Sequence, residues 1–320
     1  MSLLSVHDLR VSFPVRGGLL GRVQGQVRAV DGIDLDLAAG ETLALVGESG
    51  CGKSTTARAI LRLIEPDSGE IRIEGKDIRA MDAETLRRFR RRAQIVFQDP
   101  SAALNPRRTA FQAVAEGLRT HDLASGPELR ARVLELFSQV GLSEEHLNRH
   151  PHEFSGGQRQ RIGIARALAV EPSLLVLDEP VSALDVSVQA QVINLLEDIQ
   201  EKTSVGYLFV AHDMGVVRHI AHRIAVMYLG RIVETGPAEE ICTDPRHPYT
   251  RMLIASVPAL GGDRAVDTAS RGELPSPLDP PTGCAFHPRC PLATSECAAV
   301  RPELTPVDSS RLSACPRTAT

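Results

Sequence analysis

GESGCGKST, Gly47–Thr55, is the stretch on which the fold turns. It fits G-x-x-x-x-G-K-[ST], a loop whose backbone N–H groups cradle phosphate. Gly47, Gly50 and Gly52 let the chain turn tightly enough for several amides to face one anion. The residues that follow, KSTTARAILRLI, have helical spacing, so the loop opens a helix and adds its positive dipole end. The residues that precede, ETLALVG, form the short apolar run of a strand buried on both faces. Lys53 supplies a point charge for the β- and γ-phosphates and Ser54 a hydroxyl for Mg²⁺. Ser49, Cys51 and Thr55 complete the loop. The only lysines are Lys53, Lys76 and Lys202, in a chain whose other basic residues are arginine. A lysine placed inside this pattern therefore carries weight that a single arginine does not.

The second half of such a site is LLVLDEP, Leu174–Pro180. A buried strand ends in Asp178, which can hold Mg²⁺ directly or through water. Glu179 follows, placed to act as base or orienting group for an attacking water. Acidic residues at the C-terminal edge of a strand stand where α/β sheets bind ligands.

Outward from these two stretches the chain alternates strands with helices. LLSVHDLRVSF and VRAVDGIDLDL alternate like strands, and PVRGGLLGRVQGQ between them reads as a loop or hairpin excursion. GEIRIEGKDI and IAVMYLGRIVETG read as hairpins, the latter turning at Gly230. VGYLFVAHD is a further strand, VSVQAQVINLLEDIQEK a helix with an apolar stripe, and Ala83–Ala169 mostly helical. These elements predict an α/β sheet with a helical insertion at about 100–160. After Val257, Gly, Pro and Ser accumulate, and LPSPLDPPTG cannot be a regular element. A boundary there divides a 1–257 domain from a 258–320 extension.

Composition narrows the setting. The 320 residues carry a net charge of −4, so no basic excess points to nucleic acid. No apolar run approaches the roughly 18–20 residues of a membrane span. The N-terminus lacks the pattern of a secretory signal, which predicts a cytoplasmic chain with reduced thiols.

HEFSGGQRQRIGIARAL contains Ser155, Gly156, Gly157 and Gln158, and this run resembles the signature of ABC-type ATPases. The other marks of that family stand in order. Gln98 in VFQDP resembles the Q-loop, Asp185 in SALD the D-loop, and His212 in FVAHD the switch histidine. Phe13 stands where the family has an aromatic residue that stacks on adenine. One departure is Phe154, where leucine is more usual. The resemblance covers roughly residues 4–255 and implies an ABC-type P-loop ATPase fold, with an antiparallel β subdomain and a helical signature subdomain. It implies that Glu179, His212 and Gln98 serve catalysis, that Gln98 joins Ser54 and Asp178 around Mg²⁺, and that the signature caps the ATP of a partner subunit.

QDPSAALNPRRT, ALDVSVQAQ and RHPYTRMLIASVP resemble the ATPases of dipeptide and oligopeptide importers. Nickel importers share these motifs, so nickel or another small solute stays open beside peptide. The resemblance implies a paralogous ATPase, two permeases and an extracytoplasmic peptide-binding protein as partners, and a place at the cytoplasmic face of the membrane. A soluble ABC protein acting on nucleic acid is the rival class. It usually shows a second ATPase module or a long insertion, and neither is visible.

Four of the six cysteines lie in the extension: Cys284, Cys290, Cys297 and Cys315. Their spacings lack the paired C-x₂-C knuckles of common zinc sites. Four thiolates can bind a [4Fe–4S] cluster, and the tail resembles those of peptide-importer ATPases that carry one. Structural zinc and four unligated thiols remain the alternatives.

Overall fold

The structure is a computed structural model that describes residues 2–17, 22–256 and 275–318. The chain gathers into two compact units. One comprises Met1–Leu4, Asp36–Thr42 and Arg72–Val210, the other Ser5–Leu35, Leu43–Ile71 and Ala211–Thr320.

In the first unit the strands Ala93–Val96, Leu174–Asp178 and Gly206–Ala211 run parallel, in register Val96 to Leu177 and Asp178 to Val210. Leu174–Asp178 and Gly206–Ala211 are buried at every position, as strands covered on both faces must be. The helix Val186–Thr203 buries Val192, Ile193, Leu196 and Ile199 along one stripe. The helical insertion consists of Pro100–Ala103, Ala110–Thr120, Gly126–Gln139 and Gly156–Leu168. Thr109 and Gln112 start Ala110–Thr120 with a reciprocal capping box, and this helix packs on Gly156–Leu168. Arg72–Asp77 makes the predicted hairpin, with Ile73 opposite Lys76.

One strand went unread. Ala93–Val96 falls inside the stretch expected to be helical. Its four residues AQIV follow an arginine-rich helix end and are too few to show a period. Pairing with the buried strand Leu174–Asp178 decides their conformation.

In the second unit Thr42–Val46 runs parallel to Arg223–Tyr228, with Val46 beside Val226. Arg223–Tyr228 then turns through Leu229 and Gly230 into Arg231–Pro237, as predicted. The two turn residues have φ 42° and 81°, the left-handed pair that suits the twist of a two-residue hairpin. The tail extends this sheet. Leu312–Ser313 pairs antiparallel with Arg231–Pro237, and Thr305–Pro306 pairs with Leu312–Ser313. The strands Arg22–Ala38, Ser2–Gly17 and Ser68–Ile73 neighbour one another in that order in a separate sheet. Strand therefore reaches into both arms of the Gly-rich excursion; residues 18–21 lie outside the described residues.

The boundary expected near Val257 also lies outside the described residues, as does Leu274 at the head of LPSPLDPPTG. Residues 275–283 hold neither helix nor strand. Beyond them the tail is fixed to its unit by specific groups. Phe286 is 2% exposed. It lies among Tyr228, Tyr249 and His247, with ring centroids 5.4, 5.4 and 5.9 Å away. Burial of such a ring contributes about 1.5–3 kcal/mol. Arg301 reaches Asp31 at 3.3 Å, a carboxylate also paired with Arg231 at 2.8 Å and Arg10 at 2.9 Å. Burial pushes the Asp31 carboxyl up, but the Arg231 hydrogen bond and the three guanidinium charges outweigh it and hold it below its ordinary value.

Candidate active site

The phosphate loop closes because two of its glycines touch backbone. A Cβ on Gly47 would stand 2.2 Å from the Met227 carbonyl oxygen, and one on Gly52 2.1 Å from that of Ala29. Gly52 also takes φ 112°, which side-chain-bearing residues rarely adopt. The helix Lys53–Ile60 starts directly from it, and no side chain caps its first turn. Its leading N–H groups are the kind that bind an anion. Lys53 is 4% exposed, and its Nζ donates to the carbonyl oxygens of Gly47 at 2.8 Å and Glu48 at 3.0 Å. Cys51 is buried inside the loop, and burial pushes its thiol up. Gly230 N–H donates to the Cys51 carbonyl at 2.8 Å, tying the loop to the hairpin turn. Ser54 and Thr55 lie in the first turn of the helix, while Ser49 and Gly50 form the outer bend. Phe13 shares this unit, 40% exposed on its strand. So does His212, exposed just beyond the strand Gly206–Ala211.

The other predicted groups belong to the first unit. Asp178 ends its strand 1% exposed. Glu179 follows in a left-handed conformation, φ 48°, held by its N–H donating to the Val210 carbonyl at 3.0 Å. A carboxylate on a non-glycine residue held at positive φ is strained, and such strain gathers at functional sites. Gln98 Nε2 donates to Glu179 Oε2 at 2.9 Å, which brings the glutamine expected to form the Q-loop to the acidic pair.

Ser155 caps the helix Gly156–Leu168. Its Oγ accepts from Gln158 N–H at 3.3 Å, and Gln158 Oε1 accepts from Ser155 N–H at 3.0 Å. Gly157 is small for a packing reason, since a Cβ there would stand 2.4 Å from Val188 Cγ1. Asp185 caps the helix Val186–Thr203, accepting from Val188 N–H at 3.0 Å and from Ser187 Oγ at 2.6 Å. The Ser187 bond, then that of Val188, holds its carboxyl below the ordinary value. Phe154, the departure from leucine, is buried against the His146 ring at 5.7 Å.

Two residues at the loop went unread. Tyr249 OH accepts from the Glu48 N–H at 2.8 Å, and Arg289 grips the Glu48 carboxylate with Nη1 at 2.7 Å and Nη2 at 2.9 Å. They lie 201 and 241 residues from Glu48 in the chain, beyond the reach of any local pattern.

Cys284, Cys290, Cys297 and Cys315 all line one cavity of about 90 Å³, together with Phe286, Leu292 and Val300. Burial pushes the Cys284 and Cys290 thiols up, whereas a hydrogen bond with Thr294 brings Cys297 down. Among the described residues no three His, Cys, Asp or Glu side chains are grouped to hold one metal ion.

Comparison with known proteins agrees with this layout. Residues 30–182 match the ABC transporter family, and residues 233–297 match the oligopeptide/dipeptide transporter C-terminal region. The oligopeptide transport ATP-binding protein AppF of Bacillus subtilis is 49% identical over 98% of this chain and 97% of its own length. The di/tripeptide transport ATP-binding protein DppF of Pseudomonas aeruginosa is 47% identical over 97% and 96%. Among solved structures, a dimeric ATP-binding cassette in a post-hydrolysis state with ADP and Pi superposes with a TM-score of 0.66 at 30% identity, covering 73% of this chain and 98% of that one. A subunit of an ABC transporter complex from Clostridium perfringens superposes with a TM-score of 0.66 at 28% identity, covering 76% and 91%. With its phosphate loop, acidic strand end and signature helix built as described, and relatives matched over nearly their whole length, the chain belongs to the ABC transporter ATP-binding subunits of the oligopeptide/dipeptide type.

Proposed function

We propose that this chain binds and hydrolyses ATP to power peptide import through a membrane ABC transporter. The observation that carries the reading is the 49% identity to an oligopeptide transport ATP-binding protein across 98% of the chain, tail included. Lys53 exchanges the carbonyl oxygens it holds for β- and γ-phosphate oxygens. Ser54, Asp178 and Gln98 offer the hard oxygen donors that suit Mg²⁺, which when bound neutralises charge on the phosphates. Glu179 accepts the proton of the attacking water, and Gln98, donating to its Oε2, fixes the carboxylate's orientation. His212 serves as the switch histidine and Phe13 stacks on adenine. Ser155, Gly156, Gly157 and Gln158 serve the ATP of a second, paralogous ATPase chain, with Asp185 at the same junction. Two permeases and an extracytoplasmic peptide-binding protein complete the complex and hold the chain at the cytoplasmic face of the membrane. The test is uptake into vesicles carrying the reconstituted complex and loaded with ATP. Labelled di-, tri- and oligopeptides accumulate; accumulation of nickel and not of peptide overturns the substrate class.

The four tail cysteines are read as ligands of a [4Fe–4S] cluster with a structural role. In support, all four line one largely apolar cavity. A [4Fe–4S] cluster takes four thiolates, one on each iron.

A further inference from the structure

We infer that Arg289 is a positioning residue for the nucleotide site, clamping the phosphate loop through Glu48; the inference rests on the reading of Gly47–Thr55 as that site. Glu48 is the second residue of the loop, between Gly47 and the outer bend. Its carbonyl accepts from Lys53 Nζ at 3.0 Å, its N–H is held by Tyr249 OH, and its carboxylate receives both Nη atoms of Arg289. Every polar part of this one residue is therefore spoken for, and two of its partners, Tyr249 and Arg289, come from beyond residue 245.

The arginine is built in place. Its side chain is 5% exposed, against 28% for that of Glu48. It follows the buried Phe286 on one tight turn, with Arg289 N–H donating to the Phe286 carbonyl at 3.0 Å. Its guanidinium lies 5.8 Å from the Phe286 ring centroid, and Nη2 is 3.7 Å from Met252 Sδ. The Glu48 hydrogen bonds hold the guanidinium pKa above its ordinary value. A two-pronged charged pair on a largely buried arginine is among the stronger polar contacts a protein makes. It also fixes a direction. The carboxylate that would repel an incoming phosphate is neutralised and turned onto the tail, and Lys53 is left as the cation facing the loop's anion.

The test is steady-state ATPase and equilibrium nucleotide binding on the assembled transporter with Arg289→Gln, Glu48→Gln, both together, and Lys53→Ala. Loss of one two-pronged charged pair raises KM for ATP about tenfold in each single variant, with kcat at saturating ATP kept. In the double variant KM is raised no further, because both changes break the same contact. A merely structural role lowers the active fraction, and so kcat, without moving KM. KM within twofold of wild type in Glu48→Gln, or effects that multiply in the double variant, overturns the inference. Should Arg289→Gln fail to fold, seen in its melting temperature, the isosteric Glu48→Gln decides alone. Lys53→Ala separates the underlying reading: wild-type nucleotide binding in that variant overturns the site itself, whereas loss of binding there with unchanged Glu48→Gln overturns only the clamp.

Discussion

Glu179 shows how much one backbone angle can carry. At φ 48°, with its N–H fixed to Val210, the residue turns its side chain off the strand end toward Gln98. Glu179→Gln keeps the shape and removes the proton acceptor. ATP still binds, and turnover at this chain's site falls by at least about 10²-fold. The measurement is ATPase activity of the complex with the partner's own site disabled; unchanged turnover removes Glu179 from the chemistry. His247 makes a different single-residue case. It is fully buried, its Nδ1 accepts from Tyr249 N–H at 3.1 Å, and burial pushes its pKa down to about 3. The unfolded chain takes up this proton near 6.5, the native state only near 3. The stability tied to its neutral form is complete above pH 6.5 and is lost as pH falls toward 3. In His247→Asn, which keeps an acceptor for Tyr249, denaturant unfolding loses up to about 1.4 kcal/mol less per pH unit across that window. Parallel pH profiles for the two proteins count against the assignment. The two residues also differ in legibility. Glu179 was readable because LLVLDEP is a local pattern; His247 was not, because its burial comes from Phe286 and the strands around it.

At the scale of elements, the signature helix carries two glycines with opposite demands. Gly157 has Val188 2.4 Å from where a Cβ would stand, and Gly163 has nothing within 4 Å. Gly157→Ala overpacks this contact and destabilises by about 1–3 kcal/mol, and Val188→Ala on the same background restores most of it. Gly163→Ala stabilises by about 0.5–1 kcal/mol through helix propensity alone. Chemical denaturation of the three variants checks the pattern, and equal effects at both glycines refute it. Sequence pattern found the long elements here: the helix Val186–Thr203 from its stripe, the hairpin at Leu229–Gly230 from its turn residue, the buried strands from apolar runs. It missed Ala93–Val96, whose conformation comes from its neighbour rather than from its own four residues. It also read Gly156 and Gly157 only as part of a signature that caps a partner's ATP, since the clash of Gly157 with Val188 exists only once two helices have packed.

Over the whole molecule, the tail is the part least legible in advance. Its prolines and glycines mark it as irregular, yet it adds a strand to the sheet beside Arg231–Pro237, seats Phe286, and pairs Arg301 with Asp31. None of these contacts leaves a periodic trace. The cysteines were countable, but their convergence on one cavity needed the fold. Anaerobic purification of the full chain, followed by iron, sulfide and zinc analysis, returns about four irons and four sulfides per chain. Stoichiometric zinc in a colourless protein, or a metal-free protein with an ordered tail, overturns the cluster.

The grip of Arg289 on Glu48 also sets an order of events during synthesis. The two residues are 241 positions apart. At roughly 5–20 residues per second, the ribosome finishes the phosphate loop about 10–50 s before it delivers the arginine. Throughout that interval the nascent chain displays its Gly-rich loop with the Glu48 carboxylate unmatched. Full affinity for nucleotide thus arrives late in translation, with the emergence of the C-terminal region, and a chain stalled before that point leaves the ribosome with the loop present and its clamp missing.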